Sequence, residues 1–427
     1  MAAKKMKRRD FLGSVGRGAA LGAFGFGAFS LETLSARGAP RVAANDRISF
    51  GLIGCGDLGC NHHLSRIVER PEFDVVAVCD VDETHVDQAV AITGGAARKY
   101  RDFRALLDRN DIDAVMIVTP DHWHALAAIH ACQAGKDVYC EKPLSLTVAE
   151  GRAMVNAVRR YGRIFQTGSQ QRSDFNFWWA CDLVQNGCLG KIGTVTASIG
   201  EGPTCPWEPD QDPPPHLDWD FWLGPAPYRP YTPQRCHYNF RWFYDTSGGK
   251  MTDWGAHHLD IAQWGLGYEL SGPAEVEGTA VHPSSGLYET AITFDVTYTY
   301  PDGTLLRCTS AGENGVTFEG SEGRLFVSRS RIEADPPEIL DTPPGCGAVR
   351  LYESRDHLTN WVDCLFDRRL PICDVEIGHR SATVCHLGNI AIQLGRKLRW
   401  DPVTERFVGD EQANRFLGRP MRQPWSL

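Results

Sequence analysis

The sequence predicts an α/β protein: a doubly wound, parallel sheet at the N-terminal end, then an α+β half with a large, open, mainly antiparallel sheet. Three observations carry this. A short apolar strand runs directly into Gly54-Cys55-Gly56-Asp57-Leu58-Gly59 and a helically spaced stretch. Further buried-type strands alternate with helical stretches up to about residue 165. Beyond that point, long stretches alternate apolar and polar residues, as strands with two different faces do.

Composition sets the bounds. The 427 residues carry 44 Lys+Arg against 53 Asp+Glu, with 42% hydrophobic and 23% charged residues. That suits a globular protein of two or three domains. The net charge of −9 disfavours a nucleic-acid partner, which requires a basic face.

Residues 1–44 differ from the rest. They hold eight basic and two acidic residues, and without them 36 basic and 51 acidic residues remain. Lys7-Arg8-Arg9-Asp10-Phe11-Leu12 precedes a mild apolar run from Gly18 to Phe29, and Val42-Ala43-Ala44 offers a small-residue cleavage site. Basic start, apolar middle and small-residue end are the layout of an export signal. The adjacent arginines before Phe-Leu resemble a twin-arginine signal. The expected partner is then the twin-arginine export machinery, and the expected location is periplasmic or otherwise exported. The fourteen cysteines include no C-x-x-C pair, and several lie in apolar runs (Cys55, Cys79). They read as small core residues, not as a disulfide framework or a zinc ribbon.

The first half follows element by element. Ile48–Ile53 is a buried strand, the Gly-rich turn follows, and His62 to Glu69 continues as a helix. Val75–Cys79 is the next strand and ends at Asp80, 21 residues after Gly59. Strand, G-x-G-x-x-G, helix, strand and acid together form a Rossmann dinucleotide-binding fingerprint. The glycines admit a pyrophosphate, the helix start offers free N–H groups, and the acid meets the ribose. Asp80 repels a 2′-phosphate, so NAD is expected over NADP. Ala114–Val118 is a strand, Thr119 to His124 a loop at its C-terminal end, and Leu126 to Ala134 a helix closed by Gly135. Asp137–Cys140 is a strand with Glu141-Lys142-Pro143 at its end, over the cofactor crevice.

A Rossmann start, Thr-Pro-x-x-x-His and Glu-Lys-Pro together resemble the glucose–fructose oxidoreductase / inositol dehydrogenase / rhizopine-catabolism (Gfo/Idh/MocA) family, over about residues 46 to 400. The resemblance implies a Rossmann domain at 45–165, a substrate and oligomerisation domain at 166–400 and a tail at 401–427. It places Lys142 at the nicotinamide and substrate, and His124 on the cofactor crevice. Cofactor contacts are thus expected from Gly54, Gly56, Asp57, Leu58, Gly59, Asp80, Thr119, Pro120, His124, Glu141 and Lys142.

In the second half, strands are expected at 193–200, 274–281, 289–300, 304–311 and 323–328. The family's open sheet implies a homodimer or homotetramer. Residues 201–247 form a long insertion rich in Pro, Trp, Tyr and His, and a loop of this length is usually functional or disordered. After it, Asp253 and His257 fall at i and i+4 on one helix face, with Asp260 beyond. A carboxylate one turn from an imidazole can orient it and raise its basicity. The family carries Asp-x-x-x-His here, which implies Asp253 in the site and His257 as general acid/base. Gln170, Arg172, Tyr244 and Asp260 are candidate substrate contacts. No metal is expected: H-E-x-x-H is absent, and His257 and His258 diverge on a helix.

Free NAD is scarce outside the cytoplasm, so an exported NAD enzyme is expected to hold and recycle its cofactor. The leading reading is an NAD-dependent oxidoreductase acting on a carbinol of a sugar, polyol or glycoside. Two alternatives stay open: a glycoside hydrolase or lyase working through a transient keto-sugar, and a non-catalytic binding protein.

Overall fold

The computed structural model describes residues 47–345 and 347–427. The expectations for residues 1–44 lie outside the described residues.

Six strands form a parallel sheet: β1 (Ile48–Ile53), β2 (Phe73–Cys79), β3 (Arg98–Tyr100), β4 (Ala114–Ile117), β5 (Asp137–Cys140) and β6 (Phe165–Thr167), in the order β3-β2-β1-β4-β5-β6. β4 and β5 are buried along their whole length, as parallel strands covered on both faces are. The order reverses between β1 and β4, which opens a crevice at their C-terminal ends. Local chemistry fixes the covering helices. Asp82 caps Glu83–Ile92, and Thr147 and Glu150 form a capping box on Val148–Tyr161, which Gly162 ends at a φ of 59°.

The second sheet has nine strands. They are β7 (Ile192–Ser198), β8 (Glu275–Val281), β9 (Thr293–Thr299), β10 (Leu305–Thr309), β11 (Gly315–Gly320), β12 (Arg324–Val327), β13 (Ile332–Asp335), β14 (Leu398–Asp401) and β15 (Arg406–Phe407). Their order is β13-β12-β11-β7-β10-β9-β8-β14-β15, antiparallel except where β7 meets β10. Phe294, Val296 and Tyr298 of β9 point into the core with the helices Gly255–Gly265 and Val375–Leu394. The alternate residues of β9 face outward.

Three expectations need correction. β6 begins at residue 165 and completes the first sheet, so a boundary there cuts through a strand. The late chain returns to the first domain: Trp361 of helix His357–Asp367 is fully buried against Phe50, Phe73 and Tyr139. Residues 401–427 are not a separate tail, because they supply β15 and Trp425, which packs on Trp123 and Phe221. The thirteen described cysteines are free and twelve of them are buried, as small core residues. Among the described residues, no helix is long and apolar enough to cross a membrane.

Candidate active site

The crevice between β1, β2 and β4 is a cleft of about 480 Å³. Its glycines divide the work. Gly54 has a φ of +95°, and a Cβ there would lie 2.5 Å from the Val118 backbone. A Cβ on Gly59 would lie 2.2 Å from the Gly54 carbonyl oxygen. Gly56 meets nothing nearer than the His85 ring at 3.9 Å, so it leaves the cleft floor open to a ligand. No side chain caps the helical turn Leu58–Leu64 that follows. At the end of β2, Asp80 accepts hydrogen bonds from Cys55 N (2.7 Å) and Asp82 N (3.0 Å), which aim its carboxylate at the cleft. An open glycine floor, an uncapped helix start and a fixed acid fit a dinucleotide.

The 201–247 insertion forms part of the cleft wall. Its helix Trp219–Leu223 is tied down by His122 and Trp123, which both donate to the Trp222 carbonyl. Phe221, His237, Tyr238, Phe240 and Arg241 then line the cleft.

At the other end of the cleft a side-chain pair joins the two domains. Lys142 follows β5, Asp253 ends the short helix Lys250–Asp253, and Lys142 Nζ lies 2.7 Å from Asp253 Oδ1. Burial would raise the Asp253 carboxyl, but the charges of Lys142 and Arg241 bring it below its ordinary value. Beneath Lys142, Glu141 is buried: it faces His63 Nε2 at 2.8 Å and accepts from Lys142 N. His257 is buried nearby. Burial, then the charges of Lys142 and Arg329, push it well below the ordinary histidine value, so the ring is neutral. Its Nδ1 has no hydrogen-bond partner.

The profile for the oxidoreductase family's NAD-binding Rossmann fold matches residues 48–169, and the profile for its C-terminal α/β domain matches residues 204–427. The chain belongs to the Gfo/Idh/MocA oxidoreductase family. Its cofactor is NAD. The chain is 27% identical to an uncharacterized oxidoreductase, YrbE, of Bacillus subtilis over 83% of this chain and 93% of that one. It is 31% identical to the inositol 2-dehydrogenase of Salmonella typhimurium, over 34% of this chain and 43% of that one. The crystal structure of the aldose–aldose oxidoreductase of Caulobacter crescentus shares the fold, with a TM-score of 0.63 at 21% identity over 83% of this chain and 99% of that one.

Within this Gfo/Idh/MocA chain, Gly54, Gly56, Asp57, Leu58, Gly59, Asp80, Thr119, Pro120, Glu141 and Lys142 all border the cleft. Other expected residues lie elsewhere. The helix expected from Leu126 begins at Asp121, so His124 falls in its buried first turn, with its ring nitrogens against the Thr119 and Pro143 carbonyls. It ties two loops together and does not line the cleft. Asp253 does not orient His257, because Lys142 takes its carboxylate, and the basicity of His257 falls where a rise was expected.

Arg172 and Asp260 pair with each other in the core, both 1% exposed, and Ser381 also donates to Asp260. They are structural and offer nothing to a substrate. Tyr244 pairs with His282, and Gln170 lines a separate cavity with His63, Tyr139 and Arg329. The sequence reading missed Arg241, 3.4 Å from Asp253 Oδ1, and Arg329, over the Trp254 ring. Nothing in their local sequence marked them, beyond the Phe-Arg-Trp run at 240–242 inside the aromatic insertion.

Proposed function

We propose that this enzyme interconverts a carbinol and a ketone on a sugar, polyol or glycoside. The Lys142–Asp253 contact carries the reading, because it sets an ammonium at the end of an NAD cleft and fixes it from the opposite domain. Bound NAD supplies the hydride acceptor or donor. Lys142 donates a hydrogen bond to the reacting oxygen, and Asp253 holds Lys142 in position. Neutral His257 accepts the carbinol proton in oxidation and returns it in reduction. The inositol 2-dehydrogenase relative agrees with a carbinol substrate.

We further propose that NAD stays bound and is recycled by a second, carbonyl substrate. The support is the insertion, whose Phe221, Tyr238 and Phe240 wall the cleft and would slow exchange, as lids do. Residues 1–44 support export by the twin-arginine route, and the outward face of the nine-stranded sheet is the proposed contact between copies in a homodimer or homotetramer.

The test uses protein carrying only its endogenous nucleotide. Sugars and polyols supplied singly should yield no more than one reduced nicotinamide per chain, and adding a carbonyl acceptor should give many turnovers. A nucleotide that no carbinol reduces would overturn the proposal.

A further inference from the structure

We propose that Asp82, His85 and His237, joined by His216, form a zinc-type divalent-metal site that fastens the 201–247 insertion to the nucleotide-binding domain at the ribose end of the cleft. Asp82 and His85 come from the start of the helix after β2, whereas His216 and His237 belong to the insertion. Donor atoms of Asp82, His85 and His237 all lie within 4.8 Å of one another. Asp82 Oδ2 is 3.4 Å from His237 Nε2 and 3.7 Å from His216 Nε2. These separations are long for a hydrogen bond. They are close to the ~3.4 Å edge of a tetrahedron built on metal–ligand bonds of ~2.1 Å. His237 thus meets the Asp82 oxygen at the spacing that a shared cation sets, and His216, outside the mutually close set of three, approaches that same oxygen.

The carboxylate is prepared for this. Asp82 is buried, and its other oxygen, Oδ1, accepts from Thr84 N (2.8 Å) and Thr84 Oγ1 (2.6 Å). Hydrogen bonds of this kind orient a metal ligand and leave its second oxygen free.

The scaffold agrees. Glu83 N donates to the His216 carbonyl at 2.9 Å and Asp218 N to the Val81 carbonyl at 3.0 Å, so the two segments are in register before any ion arrives. His237 has a φ of +48°, a backbone state that a non-glycine residue adopts at a cost and that marks a constraint on where its ring points. The His85 and His237 ring centres are 4.6 Å apart, which leaves no room for a base between them. A metal here would slow the opening of the insertion, and any slowing of NAD release rests on the reading of the cleft given above.

The full chain, stripped with a chelator, is titrated with Zn²⁺ against a chromophoric chelator, and with Co²⁺ for the visible absorption of a tetrahedral site. One ion per chain is expected, with affinity falling ~100-fold or more in the His216→Ala/His237→Ala double variant. Zn²⁺ should also protect the insertion from trypsin at Arg235, which is followed by Cys236, in the unmodified chain, and not in the variant. No stoichiometric ion, equal affinity in the variant, or unchanged cleavage would overturn the site. Nucleotide extracted from the same preparation reports separately on NAD, since the ion needs none.

Discussion

The Lys142 ammonium is bound twice by one residue 111 positions away: it donates to Asp253 Oδ1 at 2.7 Å and to the Asp253 carbonyl at 3.0 Å. Each side chain is only 12% exposed, so the pair is screened little by solvent. Asp253→Asn keeps the shape and removes the charge that anchors Lys142. We expect kcat to fall about 10²-fold, and Lys142→Met to cost more, up to ~10⁴-fold. Extracted NAD should be unchanged in Asp253→Asn, whose side chain does not line the cleft. Steady-state rates with an accepted carbinol decide the matter, and near-normal turnover in Lys142→Met would remove the pair from the chemistry.

His257 should act as a base that needs no deprotonation at neutral pH, because burial and the nearby Lys142 and Arg329 charges hold it neutral. Its depressed pKa means that the acid limb of oxidation lies below the ordinary histidine range of ~6.5. His257→Ala should lose ~10²–10⁴-fold in rate with little change in KM. An acid limb at or above ~6.5 in the intact enzyme would contradict this assignment.

The three glycines of the turn should separate folding from binding. A Cβ at Gly56 meets only the His85 ring, at 3.9 Å, so Gly56→Val should fold with little change in thermal stability and carry no NAD. Gly59→Ala forces a Cβ to 2.2 Å from the Gly54 carbonyl oxygen and should destabilise the chain instead. Nucleotide content and melting temperature, measured on both variants, test the division. Normal NAD in Gly56→Val would place the pyrophosphate elsewhere.

What the sequence disclosed follows from range. The glycine turn, Asp80 and the Lys142 motif are set by neighbours within about one turn or strand, and all of them border the cleft. The Asp253–His257 relation was inferred from i,i+4 spacing, but the helix is interrupted at Trp254 and a lysine from the other domain claims the carboxylate. Pairing between residues so far apart leaves no local signal. The short strands β13 and β15, with four and two residues, are too brief for alternation to reveal. Arg172 and Asp260 looked like site residues because they are polar and close to the motif, and burial turned them into each other's partners.

That core pair gives a stability test. Asp260→Ala would leave Arg172 fully buried, with only Glu269 to meet its charge. Breaking a buried pair from one side costs about 3–5 kcal/mol. Denaturant unfolding should show a loss of that order, while KM for the substrate stays unchanged in whatever fraction folds. A raised KM with intact stability would return Asp260 to the substrate site.

Acid should unfold this protein early, and four histidines say where. Burial lowers His122 to about 3, and His258, His357 and His386 to about 4. The Nε2 atoms of His122, His357 and His386 face the carbonyls of Trp222, Thr167 and Ser145, and that of His258 faces Asn314 Oδ1. One ring proton satisfies each of these contacts, and burial opposes the charge that a second would bring. Unfolded histidines bind that second proton near pH ~6.5, so below this value the unfolded chain holds more protons than the folded one. Stability must then fall as pH drops from ~6.5 toward 4, by up to ~1.4 kcal/mol per pH unit for each histidine. Glu376, lowered to about 2 against burial by Arg152 and Arg380, adds its own loss only below the ordinary glutamate range. Urea midpoints at pH 7, 6 and 5, with proton uptake from calorimetry in two buffers, measure the effect. His386→Gln keeps a donor for Ser145 and removes one titration, so it should reduce the uptake by about one proton at pH 5. A midpoint that stays flat from pH 7 to 5 would mean that these rings are protonated, or exposed, in the folded state.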